Sequence, residues 1–162
     1  MDKHDFIARF GGIYEHSPWV AEQVAAVAAG VDDPGKLAEL MADCVDNADT
    51  DQQLALIRAH PQLACKVRSA DELTAESTLE QASAGLDRCS KVEFEKFAAL
   101  NDAYKQKFGF PFVMAVRGST RQDVLDALGQ RLQNDPDAEF ETALEEIHKI
   151  ARLRLESMEP RG

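Results

Sequence analysis

Four stretches of this sequence carry side chains able to move a proton or hold an anion. The first is His60-Pro61-Gln62-Leu63-Ala64. An imidazole gives or takes a proton near neutral pH. The proline behind it fixes the chain direction and holds the ring at a helix end. The second is Ser77-Thr78-Leu79-Glu80-Gln81. On a helix, Ser77, Glu80 and Gln81 fall at i, i+3 and i+4 and share one face. That face offers a hydroxyl, a carboxylate and an amide to a polar heterocycle. The third runs from Phe108-Gly109-Phe110-Pro111 through Phe112, Val113, Met114, Ala115 and Val116 to Arg117. Non-helical backbone leaves N–H and C=O groups for a ligand, and the helix start behind Arg117 favours an anion. The fourth is Arg154, next in register on an apolar stripe of Phe140, Leu144, Ile147 and Ala151, with Met158 beyond it. A guanidinium on such a stripe needs an anionic partner, either a structural carboxylate or one on a substrate.

Each stretch also has a plain structural reading. His60 can cap a helix C-terminus beside a helix-stopping proline. S-x-x-E at 77–80 can be a capping box, which requires the helix to start at Thr78 rather than near Ala75. The 108–117 segment can be a buried crossover ending in an exposed arginine. Arg154 can join a core ion pair or reach past the rim to water.

The elements that must position these residues are helical almost throughout. Ser17-Pro18 reads as an N-cap and first-turn proline, opening a helix that Gly30 stops near residue 29. Asp33-Pro34 opens another through Leu37, Leu40, Met41 and Cys44. One more begins near Asp51 and ends at His60. A connector follows over 61–71, then helices over about 75–86 and 91–107. The latter carries Phe94, Phe97, Asn101, Tyr104 and Phe108 on one stripe. Ser119 or Thr120 caps a helix through Val124, Leu125, Leu128 and Leu132, and Asp135-Pro136 starts the last. The short β-like run over 112–116 has no sheet to join and reads as a buried extended segment or a helical turn. The fold class is therefore all-α, one domain of about eight helices around one core.

The bulk numbers narrow the function. A chain of 162 residues suits one domain over 1–162. The formal net charge of -11 argues against nucleic acid and against an anionic membrane. Cys44, Cys65 and Cys89 show no CxxC spacing, so zinc and thioredoxin-like patterns are absent, and reduced thiols in a cytoplasmic protein are expected. No signal peptide or apolar run of membrane-spanning length is seen. His4, His16 and His148 lack ligand spacing and read as surface or capping residues. No metal is expected.

Taken in order, these segments resemble a known family, the 2-oxo-4-hydroxy-4-carboxy-5-ureidoimidazoline (OHCU) decarboxylases. The resemblance rests on Phe10-Gly-Gly-Ile-Tyr14-Glu-His-Ser17-Pro-Trp19-Val, Ala59-His60-Pro61-Gln-Leu63-Ala64, Ser77-Thr-Leu-Glu80-Gln81-Ala-Ser-Ala-Gly85-Leu86, Phe108-Gly-Phe-Pro-Phe112 through Arg117, and Ile150-Ala-Arg-Leu-Arg154-Leu. It spans nearly the whole chain. The family pattern H-P-D-L-A-G-K is met here with Gln62 and Cys65 in place of its aspartate and glycine.

The resemblance implies an all-α homodimer without a cofactor that converts its substrate to (S)-allantoin in urate breakdown. It also implies His60 as the catalytic acid/base, with Pro61, Ser77, Glu80 and Gln81 lining the substrate site. The backbone of Phe112, Val113, Met114, Ala115 and Val116 would contact the ring and ureido groups. Arg154 matches an arginine of the last helix that meets the ligand, and Arg117 is a further anion partner. Glu80 is expected to orient the imidazole or the substrate. Three rivals stand beside this reading: a non-catalytic helical interaction module, a thiol peroxidase-like helical protein using Cys65, and a different lyase or hydrolase on the same fold.

Overall fold

The computed structural model describes residues 2–28, 30–31, 33–61, 63 and 90–158. Among them are seven helices and no strand: α1 (Lys3–Phe10), α2 (Trp19–Val24), α3 (Pro34–Asp46), α4 (Thr50–Ala59), α5 (Lys91–Phe108), α6 (Arg121–Arg131) and α7 (Pro136–Ser157). The all-α expectation agrees with this. The helix expected over 75–86 lies outside the described residues, as do Ser77, Glu80, Gln81, Cys65 and Cys89.

Local chemistry sets most helix starts. The side chains of Asp2, Asp33 and Asp49 accept the backbone N–H of Asp5, Lys36 and Gln52, which satisfies donors that a first turn leaves without partners. Pro34 sits in the first turn of α3, where its missing N–H costs nothing. Ser90 with Glu93 and Thr120 with Asp123 form reciprocal capping boxes at α5 and α6. The start of α2 differs from expectation. Ser17 does not cap it; the Ser17 hydroxyl turns back to the Glu15 carbonyl at 2.9 Å, and Pro18 stands at the helix boundary. The helix also ends at Val24, and turns carry the chain toward Gly30, whose φ of +81° favours glycine.

The residues cluster in two compact units. The first holds residues 1–60 and 147–162, the second 61–146. In the first, α1 packs on α2 and α2 on α3. Its core includes Phe6, Phe10, Tyr14, Val20, Leu37, Met41, Val45, Leu56, Ile57, Ile147, Ala151 and Leu155, all buried. In the second, α5 packs on α6. Tyr104 is its aromatic centre, with the rings of Phe108, Phe110 and Phe112 between 4.6 and 5.9 Å away by centroid. Residues 111–116 form no regular element, in line with the expected buried extended segment. No helix among the described residues is long and apolar enough to cross a membrane.

The turn from α5 into this segment depends on Gly109, at φ +77°, whose N–H reaches the Lys105 carbonyl. A side chain there would meet the left-handed penalty of roughly 1–2 kcal/mol. Gly109→Ala is therefore expected to lower unfolding free energy by about that amount in urea titration, and an unchanged midpoint would contradict this account of the turn.

Candidate active site

His60 owes its position to the end of α4. Leu56 and Ile57 anchor the last turn in the core, and Pro61 disfavours helical geometry at the residue before it. His60 accordingly turns extended, at φ -73° and ψ 138°. Its N–H still reaches the Ile57 carbonyl at 3.2 Å, and the residue is buried, with 6% of its surface exposed. Nδ1 lies 2.9 Å from the Leu56 carbonyl oxygen. A carbonyl only accepts, so Nδ1 carries the hydrogen and donates. In the neutral ring the lone pair then resides on Nε2.

The loop between α1 and α2 supplies the partner of Arg154. The Ser17 N–H donates to the Tyr14 carbonyl, closing a tight turn, and His16 takes a φ of +48° within it. Such a conformation is uncommon for a non-glycine residue and tends to mark sites where geometry is over-determined. The turn sends the Glu15 side chain into the first unit, where none of it is exposed. Arg154, on α7, places Nη2 2.8 Å from Glu15 Oε2 and donates from Nη1 to the Ile13 carbonyl at 3.2 Å. The stripe position expected for Arg154 is thus buried, and a structural carboxylate meets it.

The same loop is pinned on its other side. Tyr14 Oη lies 2.8 Å from His148 Nδ1, and His148 Nε2 lies 3.0 Å from Asp46 Oδ1. This corrects the surface or capping role expected of His148: it is half-buried and links α3 to the loop. Burial and the Asp46 charge both raise the Tyr14 phenol, so it stays protonated. His4 and His16 are exposed.

Electrostatics fix the state of His60. Its pKa is lowered to about 4, first because burial penalises the charged ring. The Leu56 hydrogen bond and the Glu15 charge pull it back up, while Arg154 and His16 push it further down. At neutral pH the imidazole is uncharged, with Nε2 ready to accept a proton.

The second unit carries those of the other expected residues that the structure describes. Phe112, Val113 and Val116 are buried, Pro61, Met114 and Ala115 half-buried, and Arg117 exposed. Several backbone groups of the segment are committed within the protein. The Val113 carbonyl accepts from Arg131 Nη1 at 2.6 Å, the Ala115 N–H donates to Glu146 at 3.1 Å, and the Val116 carbonyl accepts from Ser119. Arg131 also lies over the Phe112 ring, 4.5 Å from its centroid, and pairs with the fully buried Glu139 at 2.6 Å. Tyr104 donates to the same carboxylate oxygen, and Asn134 donates to the other. Asn101 Nδ2 holds the Leu63 carbonyl at 2.8 Å.

Of the expected residues, the first unit brings His60 and Arg154 together around Glu15. Glu15 had no assigned role in the sequence, although it lies in a segment that carries the family resemblance. The signal that could have found it was Arg154 itself, a buried cation that needs a nearby anion. Arg131, Glu139 and Asn101 were also missed as positioning residues. Among the described residues, no group of three or more His, Cys, Asp or Glu side chains could hold a metal ion. Cys44, half-buried, donates to Gln23 and has its thiol pKa raised by burial.

Comparison with known proteins gives a consistent set of similarities. The family model for OHCU decarboxylase matches residues 1–156. The 2-oxo-4-hydroxy-4-carboxy-5-ureidoimidazoline decarboxylase of Haloferax volcanii is 43% identical over 155 residues, covering 96% of this chain and 89% of that protein. A crystal structure of (S)-allantoin synthase superposes with a TM-score of 0.78 at 38% identity, over 97% of this chain and 50% of the other. A crystal structure of OHCU decarboxylase in the presence of (S)-allantoin gives a TM-score of 0.67 at 29% identity, over 85% and 87% of the two chains.

The depressed pKa of His60 has a sign that stability measurements can read. Between its ordinary value of 6.5 and about 4, the unfolded chain binds a proton that the folded chain does not. Stability therefore rises with pH across that window and is lost as pH falls through it, in total by roughly 3 kcal/mol from this residue. Urea unfolding of the wild type and His60→Asn, each at pH 7 and pH 5, should show a smaller pH-dependent loss in the variant. Equal losses in the two proteins would contradict a buried neutral imidazole.

Proposed function

The chain belongs to the OHCU decarboxylase family, and from that premise we propose that His60 and Arg154 carry out the family's reaction here. The protein decarboxylates 2-oxo-4-hydroxy-4-carboxy-5-ureidoimidazoline to (S)-allantoin in urate degradation, a carboxy-lyase activity. The observation that carries the residue assignment is the buried, neutral His60 with Nδ1 tied to Leu56 and Nε2 left unprotonated, in the same compact unit as Arg154.

The substrate explains why this equipment suffices. Its carboxylate sits on a carbon that also bears a hydroxyl, next to a ring C=N bond. When the bond to the carboxylate carbon breaks, carbon dioxide leaves and the electron pair moves toward the C=N, which acts as the sink. The ring nitrogen of that C=N takes a proton from solvent, the hydroxyl loses its proton and becomes a carbonyl, and the neighbouring ring carbon gains a proton, so the reaction consumes one proton overall. The protein must orient the carboxylate, take the hydroxyl proton and deliver a proton to one face.

His60 Nε2 takes the hydroxyl proton. Burial and Arg154 oppose the imidazolium formed in this step, and the Leu56 hydrogen bond and the nearby Glu15 charge offset part of that cost. Arg154 orients the substrate carboxylate. On the strength of the resemblance, Pro61, Ser77, Glu80, Gln81 and the 112–116 backbone contact the rest of the substrate, and Arg117 attracts the anion from the surface. The same resemblance supports a cytoplasmic homodimer with this small anion as its ligand. The alternative of a non-catalytic helical module predicts none of this proton chemistry.

His60→Asn is expected to cut turnover of freshly generated urate-oxidation product by at least about two decades and to leave the far-ultraviolet circular dichroism unchanged. Chirality of the product, followed by polarimetry, reads the stereochemical outcome. A folded His60→Asn protein with wild-type activity overturns the assignment. Sedimentation equilibrium is expected to give twice the chain mass of 17.9 kDa, and a monomer at micromolar concentration would count against the dimer.

A further inference from the structure

We propose that Glu15 is a positioning residue that tempers Arg154, so that the guanidinium can orient a substrate carboxylate without binding it so strongly that its departure is slowed. The inference rests on the reading that Arg154 meets that carboxylate. The Glu15 side chain has no solvent exposure and the Arg154 side chain only 5%. The pair is closed at 2.8 Å, with a second Arg154 nitrogen held by the Ile13 carbonyl. Three further contacts hold the loop that carries Glu15. Ser17 reaches back to the Glu15 carbonyl, the Ser17 N–H closes the turn on Tyr14, and Tyr14 is linked through His148 to Asp46. The exposed His16 places Nε2 3.9 Å from Glu15 Oε1.

A pair this buried is a poor device for stability alone, because desolvation offsets most of its attraction. Its value for decarboxylation is different. In the ground state the negative charge is concentrated on the leaving carboxylate, and in the transition state it spreads into the ring. An arginine with its full charge on the carboxylate stabilises the first more than the second and raises the barrier. Only interactions stronger in the transition state accelerate a step. An arginine already facing a carboxylate of the protein keeps its directional N–H groups while presenting less net charge.

This predicts an unusual kinetic signature. In Glu15→Gln the amide keeps size and an acceptor for Arg154 but removes the charge. KM should fall, because the anionic substrate meets a stronger field. Turnover should fall as well, by about tenfold, because the ground state is overstabilised. A merely structural role lowers the active fraction and leaves KM where it was. The test is steady-state kinetics on wild type, Glu15→Gln and Glu15→Asp, each checked by circular dichroism and thermal unfolding. A fall in both kcat and KM supports the proposal. Unchanged kcat, or reduced kcat with unchanged or raised KM, overturns it. Should Glu15→Gln not fold, Glu15→Asp decides, since its shorter side chain lengthens the pair: both constants fall if the proposal holds, and any other pattern rejects it. A wild type that forms no product retires the catalytic reading itself, whereas an active wild type beside an indifferent variant retires this inference alone.

Discussion

A guanidinium and a carboxylate, both removed from water, impose the strictest condition on the first compact unit. Neither Arg154 nor Glu15 tolerates burial alone, because stripping a charge of its solvent without a partner costs several kcal/mol. The 13–17 loop must therefore present Glu15 at one place, and α7 must present Arg154 opposite it. The strained φ of His16, the inward Ser17 hydroxyl and the Tyr14–His148–Asp46 chain all serve that placement. His60 inherits its environment from the same pair, which acts on it with opposing charges while burial keeps the ring neutral.

The second unit solves a parallel problem with different residues. Arg131 and Glu139 are buried together, with Tyr104 and Asn134 completing the carboxylate's hydrogen bonds. The remaining reach of Arg131 goes to the Val113 carbonyl and the face of Phe112. An extended segment with no sheet partner would otherwise leave backbone groups without hydrogen bonds in an apolar setting. The arginine, Glu146 and Ser119 fix that backbone, and Asn101 does the same for Leu63 in the chain that follows His60-Pro61. In both units, polar side chains that never need touch a substrate determine where the irregular backbone runs.

The pattern of what could be read from residues alone follows from the range of the interactions involved. Helix starts at Asp33-Pro34 and Thr120, the stop at Gly109 and the turn of His60 before Pro61 depend on a few neighbouring residues, so their signals are local. The buried register of Arg154 was legible for the same reason, since it follows from the stripe of one helix. Its partner was not, because Glu15 lies 139 residues away and nothing near Glu15 distinguishes it from a surface carboxylate. Ser17 misled for a related reason: before proline it looks like a cap, but its hydroxyl is drawn to the carbonyl of the turn that aims Glu15. Glu139 sits beside Phe140 on α7, and periodicity favoured the phenylalanine as the core residue. The structure buries the carboxylate fully and leaves Phe140 half-buried, because Arg131, Tyr104 and Asn134 together give the charge a place.

The reading of His60 as a neutral base comes down to which ring nitrogen carries the hydrogen at working pH. Nitrogen-15 NMR of the imidazole in the folded protein answers this directly. The account predicts at pH 7 a protonated Nδ1 and an unprotonated Nε2, with titration centred far below the ordinary histidine value. A ring that titrates near 6.5, or one whose hydrogen resides on Nε2, would contradict it.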